Sequence, residues 1–378
     1  MYVIGVVLVL AGCSTPSSRE TASSRETEGT RPSANPAGTM LRSVGDAGIP
    51  RAAHTATLLR DGRVLLAGGF TAHGCEDSER GRRSEFFEPE RGIFVAGPEM
   101  GSARTGHTAT RLPDGGVLIV GGWPGEGRDP VSSAEVFDPG SGAFRPAGSM
   151  AEGRGGHVAA SLPDGRVMIT GGTGSGGRIL GSAEIYDPRT GRFAPAPAAT
   201  PRSGGTAVTL RDGRIFVVGG DPVSTSAEIF DPDAFRWRVT GRMETARRKL
   251  GAAVTEDGAV LVAGGSVPGD GDRDNLLNVA ELYSPDTGRF RELPPMIEPR
   301  YKFDGSLVPL TDGRILIAGG ARIPEIYNGR FHPVGGSLDA TRLVGTATIL
   351  RDGRVLITGG YDEDITPRAA AYLFVPRA

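Results

Sequence analysis

Short apolar runs recur along the chain, and each ends on a pair of glycines. The first is Val64-Leu65-Leu66-Ala67-Gly68-Gly69, and further pairs stand at 121-122, 171-172, 219-220, 264-265, 319-320 and 359-360. Every run is preceded by Asp-Gly, from Asp61-Gly62 to Asp352-Gly353, seven times in all. Asp-Gly between apolar runs predicts a β-hairpin with a tight type I′ turn, because both residues tolerate positive φ. Each repeat therefore opens with two strands, as in His54 to Leu59 paired with Val64 to Ala67. A third strand follows after a variable loop and carries a glutamate and an aromatic residue, as in Ala134-Glu135-Val136-Phe137. A fourth, centred on Phe94, Phe144, Phe193, Trp237, Phe290 or Phe331, completes the unit. An arginine starts each repeat: Arg51, Arg104, Arg154, Arg202, Arg247, Arg300 and Arg342.

Four short strands per repeat, with a period of about 50 residues, point to radial repetition of small sheets. Neither tryptophan is followed by aspartate: Pro124 follows Trp123 and Arg238 follows Trp237. The chain resembles the kelch-repeat family, which includes the central domain of galactose oxidase. The resemblance rests on the glycine pair and on the aromatics of the third and fourth strands. It implies an all-β, seven-bladed kelch-type β-propeller over residues 40–378. The seventh repeat supplies only three strands, ending at Ala371-Tyr372-Leu373-Phe374. Leu41 precedes Arg51 by the same interval that separates Phe94 from Arg104. Met40 to Val44 is therefore expected to complete the last blade and remove the open edge.

The residues before this domain read differently. Tyr2 to Ala11 is an apolar run too short to span a bilayer, which takes about 20 residues. It has the length of a signal-peptide core. Leu10-Ala11-Gly12-Cys13 resembles a bacterial lipobox, which implies removal of residues 1–12 and lipidation of Cys13. Residues 13–39 are mostly Ser, Thr, Glu, Arg, Pro and Gly, which predicts a disordered tether. Ser14 in place of aspartate resembles an outer-membrane sorting signal. An exported monomer is expected, lipid-anchored to the bacterial cell envelope, with the outer membrane favoured. Lipidation of Cys13 leaves Cys75 alone, without an internal disulfide.

Composition adds limits. The 59 glycines in 378 residues do not fall every third position, which excludes collagen. With 42 basic and 44 acidic residues, net charge −2, no basic domain advertises nucleic acid. Only Lys249 and Lys302 among the 42 cations are lysines, which reads as coding bias.

Candidate chemistry lies both in the residues that repeat and in those that do not. Six of the seven repeat arginines are expected to pair with the strand-three glutamates, since a buried carboxylate must be paired. Ala370 replaces that glutamate in the last repeat, so Arg342 is expected to be available to a ligand. His54, His107 and His157 occupy one repeat position in adjacent blades. They cannot converge within the roughly 2.0–2.1 Å of a zinc–nitrogen bond, and no metal is expected. Asp270 to Asn275 opens like a calcium loop with Glu281 at its twelfth position. Asn275 stands where the loop needs glycine, and Glu281 is already a repeat glutamate. Phe70, Trp123 and Tyr361 directly follow glycine pairs in neighbouring blades. With Asp362 and Tyr301 they form an expected ligand-binding patch for sugar or peptide stacking.

Galactose oxidase resemblance would imply copper–radical chemistry on a Cys–Tyr cross-link. Only Tyr301 and Tyr361 lie outside the repeat positions and the signal, with no matching cysteine. The reading is a non-enzymatic protein- or glycan-binding module without a cofactor. The alternative is a carbohydrate-active periplasmic enzyme resembling kelch-type sialic-acid mutarotases, whose acid–base pair no residue pattern assigns.

Overall fold

The computed structural model describes residues 40–71, 80–221, 223–269 and 274–376. Residues 1–39, on which the expected signal, Cys13 and the expected tether fall, and His73, Cys75, Asp270 and Asp272 lie outside the described residues. Seven four-stranded antiparallel sheets follow one another around a central channel. Blade one runs from Thr55 to Ala96, blade two from Thr108 to Ser149, and blade three from Val158 to Ala196. Blade four runs from Thr206 to Arg247, blade five from Gly251 to Leu293, and blade six from Leu307 to Pro333. Blade seven takes its three inner strands from Thr346 to Val375 and its outer strand from Met40–Asp46. Leu41 faces Phe374 in that pairing, so the ring closes as the repeat interval requires. Blade five carries an extra two-stranded ribbon, Ser266–Pro268 against Asp274–Leu276.

The second strand of each blade is fully buried because sheets pack on both of its faces, so it reads as a continuous apolar run. The third and fourth strands meet through cross-strand aromatic pairs. Phe87 and Phe94, Phe137 and Phe144, and Tyr186 and Phe193 lie with ring centroids 5.0, 5.3 and 5.0 Å apart. Such pairs hold a sheet together from the outside, where packing by a neighbour is thinner.

The Asp-Gly turns differ from expectation. Asp61 is not at positive φ; only Gly62 is, at 94°. Gly62 N–H donates to Leu59 O and Leu59 N–H to Arg63 O, a type I turn followed by a left-handed glycine. The aspartate carboxylate accepts the Arg63 N–H at 3.0 Å, which holds Asp61 in the right-handed region. The same bond pair closes the turn in all seven blades.

The glycine pairs are staples between blades. Gly69 N–H donates to Arg104 O of the next blade at 2.8 Å, and the equivalent bond forms at all seven interfaces, Gly360 to Arg51 included. A Cβ on Gly68 would lie 2.6 Å from His107 Cε1, so only glycine lets the neighbouring chain approach this closely.

Candidate functional site

The repeat arginines are structural. Arg51 pairs with Glu85 at 2.8 Å, Arg104 with Glu135 at 3.0 Å, Arg154 with Glu184 at 3.6 Å, and Arg202 with Glu228 at 2.7 Å. Arg247 and Glu281 also pair, as do Arg300 and Glu325. Each guanidinium also donates to the carbonyl of the first paired glycine, in all seven blades. Burial pushes Arg51 below its ordinary value, and Glu85 opposes the shift. Arg342 corrects the expectation of a free cation. It is 1% exposed, donates to Gly359 O and Ala370 O, and pairs with Asp339, which supplies the carboxylate that Ala370 lacks.

The histidines are clasps between blades. His107 shares a hydrogen bond with Thr55 of blade one at 3.0 Å, and His157 with Thr108 of blade two at 2.9 Å. His54 reaches Thr346 of blade seven at 3.1 Å. Burial, reinforced by the neighbouring arginines, lowers His107 and His157 to about 3 and pushes His54 well below its ordinary value. All three are neutral at pH 7. The calcium reading meets competition from cations: Asp274 is held by Arg248 and Lys249, and Glu281 by Arg247.

The channel mouth is built by one repeat position, two residues after each arginine: Ala53, Gly106, Gly156, Gly204, Lys249, Lys302 and Val344. All seven are left-handed, with φ between 48° and 62°. This turn points each N–H at the carbonyl of the preceding blade. Gly106 donates to Ala53, Gly156 to Gly106, Gly204 to Gly156, Lys249 to Gly204, Lys302 to Lys249, Val344 to Lys302, and Ala53 to Val344. The result is a closed circle of seven hydrogen bonds, 2.6 to 3.2 Å long, around the top of the channel. Beneath it the inner strands enclose about 480 Å³. That wall is chiefly threonine, serine, alanine, glycine and neutral histidine, with Lys249, Lys302 and Asp304 as its charge-bearing members.

Asp304 enters the channel because blade six is longer on its inner side. Arg300 and the first paired glycine, Gly319, lie 19 residues apart, against 17 in blades one to five and in blade seven. The extra residues form a 3-10 turn, Asp304–Ser306. Asp304 is exposed to the channel yet closely surrounded by protein, and desolvation raises its pKa.

The predicted aromatic patch divides. Phe70 and Tyr361 pack together with ring centroids 5.7 Å apart, each 5% exposed, in an apolar cluster with Ala52 and Leu343. Trp123 turns instead onto blade three, where its ring covers Gly155 and Gly156. Asp362 organises its own loop: it accepts the N–H groups of Asp364 and Thr366 and faces Arg368 at 3.6 Å. Tyr301 is the predicted residue brought to the mouth in a new company. Lys249 and Lys302 Nζ lie 5.9 and 5.3 Å from its ring centroid, within cation–π range. Lys302 also meets the Tyr361 hydroxyl. Lys249 reaches Asp274 at 3.2 Å, and Arg248 bridges Asp274 and the buried Asp221. Burial lowers Lys249 and raises Asp221 and Tyr301. The lysines were not recognised as site residues from the sequence. Alignment of the repeats on their arginines would have placed both at one position in adjoining blades.

Comparison with known proteins agrees with this architecture. The Kelch motif matches residues 154–198 and 247–297. The kelch repeat and BTB domain-containing protein 12 of Danio rerio is 28% identical over 141 residues, covering 33% of this chain and 22% of that protein. Its Homo sapiens counterpart is 27% identical over 130 residues, covering 30% of this chain and 21% of the relative. The chain thus matches about a fifth of the length of these curated relatives. A fungal alcohol oxidase of the AA5 family, solved in complex with copper, superposes with a TM-score of 0.71 at 16% identity. It covers 88% of this chain and 75% of that one, and at this identity it shows the fold alone. Among the described residues no group of three or more His, Cys, Asp or Glu side chains converges that could hold a metal ion.

Proposed function

We propose that this chain is a non-enzymatic binding propeller that takes a protein or glycan ligand at its channel mouth. The observation that carries the reading is local asymmetry. Around a ring whose backbone repeats seven times, side chains with polar and aromatic reach concentrate on blades five and six: Lys249, Lys302 and Tyr301. A rigid scaffold with one differentiated sector suits recognition, because little ordering entropy is lost on binding. The fold alone assigns no chemistry. Peptide and glycan arrays probed with the full chain test the reading. A retained ligand that Tyr301→Ala releases supports it. Silent arrays, together with turnover of a sugar by the same preparation, would sink it in favour of the carbohydrate-active alternative.

The envelope location is part of the proposal and rests on Leu10-Ala11-Gly12-Cys13. Incorporation of labelled palmitate that disappears in Cys13→Ser is expected. Equal labelling of both forms would overturn it.

A further inference from the structure

We infer that the cleft between blades five and six, on the face opposite the channel mouth, is a second site, which binds a small zwitterion such as a free amino acid or a dipeptide. It does not depend on what the mouth binds. The cleft leaves a cavity of about 530 Å³, a size suited to a small molecule. It is open because blade six is cut short at its outer turn. Tyr327 and Phe331 lie four residues apart, whereas the equivalent aromatics of blades one to five lie seven apart, as Phe137 and Phe144 do. The tight Asn328-Gly329 turn that results leaves the groove beside Tyr327 and Leu282 uncovered.

Further departures from the repeat put one charge of each sign on its walls. In blade four the strand-four Arg238 meets Asp231, the turn aspartate of its own blade, at 3.5 Å. Arg291 holds the same position in blade five, but Ser284 stands where blade four has Asp231. The inner turn of blade five is acidic instead. Glu256 precedes its Asp-Gly, where the other blades carry arginine, proline or threonine. Ala259 follows it, where five blades carry an arginine that pairs with the turn aspartate. The other charges at the cleft are answered. Asp312 pairs with Arg314. Asp257 takes the Thr255 hydroxyl and the Ala259 N–H, with Arg211 of blade four close by on the Glu256 carbonyl. Among the described residues the Arg291 guanidinium and the Glu256 carboxylate have no partner. The first can hold a carboxylate through two parallel N–H donors, and the second can accept from an ammonium. Leu282 lies opposite Arg291 in the sheet and, with the Tyr327 ring, offers apolar contact to a side chain. A ligand with one charge of each sign matches these walls, and a singly charged one leaves a wall unanswered.

Calorimetric titration of the full chain at neutral pH decides the matter, with leucine, leucylglycine, leucinamide and N-acetylleucine as probes. At least one of the two zwitterions is expected to bind roughly tenfold or more tightly than either analogue, as hydrogen bonds to charged groups allow. Leucinamide lacks the carboxylate and N-acetylleucine lacks the ammonium. Arg291→Gln should bring the zwitterion down to the level of leucinamide, and Glu256→Gln to the level of N-acetylleucine. Both side chains are exposed, so both variants should keep the parent melting temperature. The inference falls if neither zwitterion binds, if either singly charged analogue binds as tightly, or if both variants keep full affinity. The cleft and the mouth are judged apart, since the arrays read release by Tyr301→Ala.

Discussion

Blades two and three and blades five and six build the same ring with different residues. In the first pair the ring position is Gly106 and Gly156, followed by His107 and His157, which clasp the threonines of the neighbouring blade. In the second pair it is Lys249 and Lys302, followed by Leu250 and Phe303, which only pack. The backbone is the same to within a few degrees: φ is 60° and 59° in one pair and 54° in both members of the other. Glycine reaches that conformation freely, while a residue with a Cβ gives up about 1–2 kcal/mol. Ala53 and Val344 also accept the cost, but both pack against the Phe70–Tyr361 cluster, which offsets it. The lysines are as deeply placed, Lys249 with its side chain 13% exposed, but they bring an ammonium group where Ala53 and Val344 bring apolar surface. Where the repeat is kept, the residues explain the fold. Where it is broken at a cost, they point to use.

This contrast can be tested at several strengths. The largest effect belongs to the regular half. Arg104→Ala leaves Glu135 buried without its cation and should cost about 3–5 kcal/mol in urea unfolding. A loss below about 1 kcal/mol would mean the Arg–Glu pairs are not structural.

Acid should strain the same half next. His107 and His157 are depressed to about 3, below the ordinary unfolded value of about 6.5. The unfolded chain therefore takes up protons first as pH falls below about 6.5. Stability is fully present above that pH and is lost progressively towards the folded values. Between pH 7 and 5 the loss is up to about 2 kcal/mol per histidine. His107→Leu copies the residue type of blade five and should flatten the pH dependence. An unaltered slope would remove this histidine from the account.

Trp123→Ala uncovers Gly155 and Gly156 and should cost about 1–2 kcal/mol, less than a fully buried tryptophan. A melting temperature unchanged by the substitution would return Trp123 to the ligand patch. The smallest effect is expected at Lys302→Gly. Relief of the left-handed backbone offsets the added freedom of the unfolded chain and part of the lost contacts with Tyr301 and Tyr361, so stability should stay within about 1 kcal/mol. A larger loss would make Lys302 a structural residue and weaken the contrast between the halves.

The extent of legibility follows from the range of each interaction. Met40 and Leu41 could be assigned to the last blade because repetition makes distant partners predictable from spacing. The Arg–Glu pairs were legible for the same reason. The turn type was missed because the Asp61 carboxylate binds a backbone N–H two residues on, which selects a right-handed aspartate. Arg342 was misjudged because its partner, Asp339, lies outside the repeat pattern and only three residues away. Phe70, Trp123 and Tyr361 share a repeat position, yet their rings go to different neighbours.

What the order of residues dictated is therefore the part that recurs: strand, turn, glycine pair, arginine, and the number of blades. These depend on hydrophobic period and backbone conformation, both local and both written seven times. The convergence of Lys249, Lys302, Tyr301, Tyr361 and Asp274 depends on how blades four to seven and blade one pack around the channel. It also depends on the longer inner side of blade six, which brings Asp304 into the channel wall. Those contacts join residues up to 59 positions apart through side-chain directions that no spacing encodes, so the site appears only when the ring is closed.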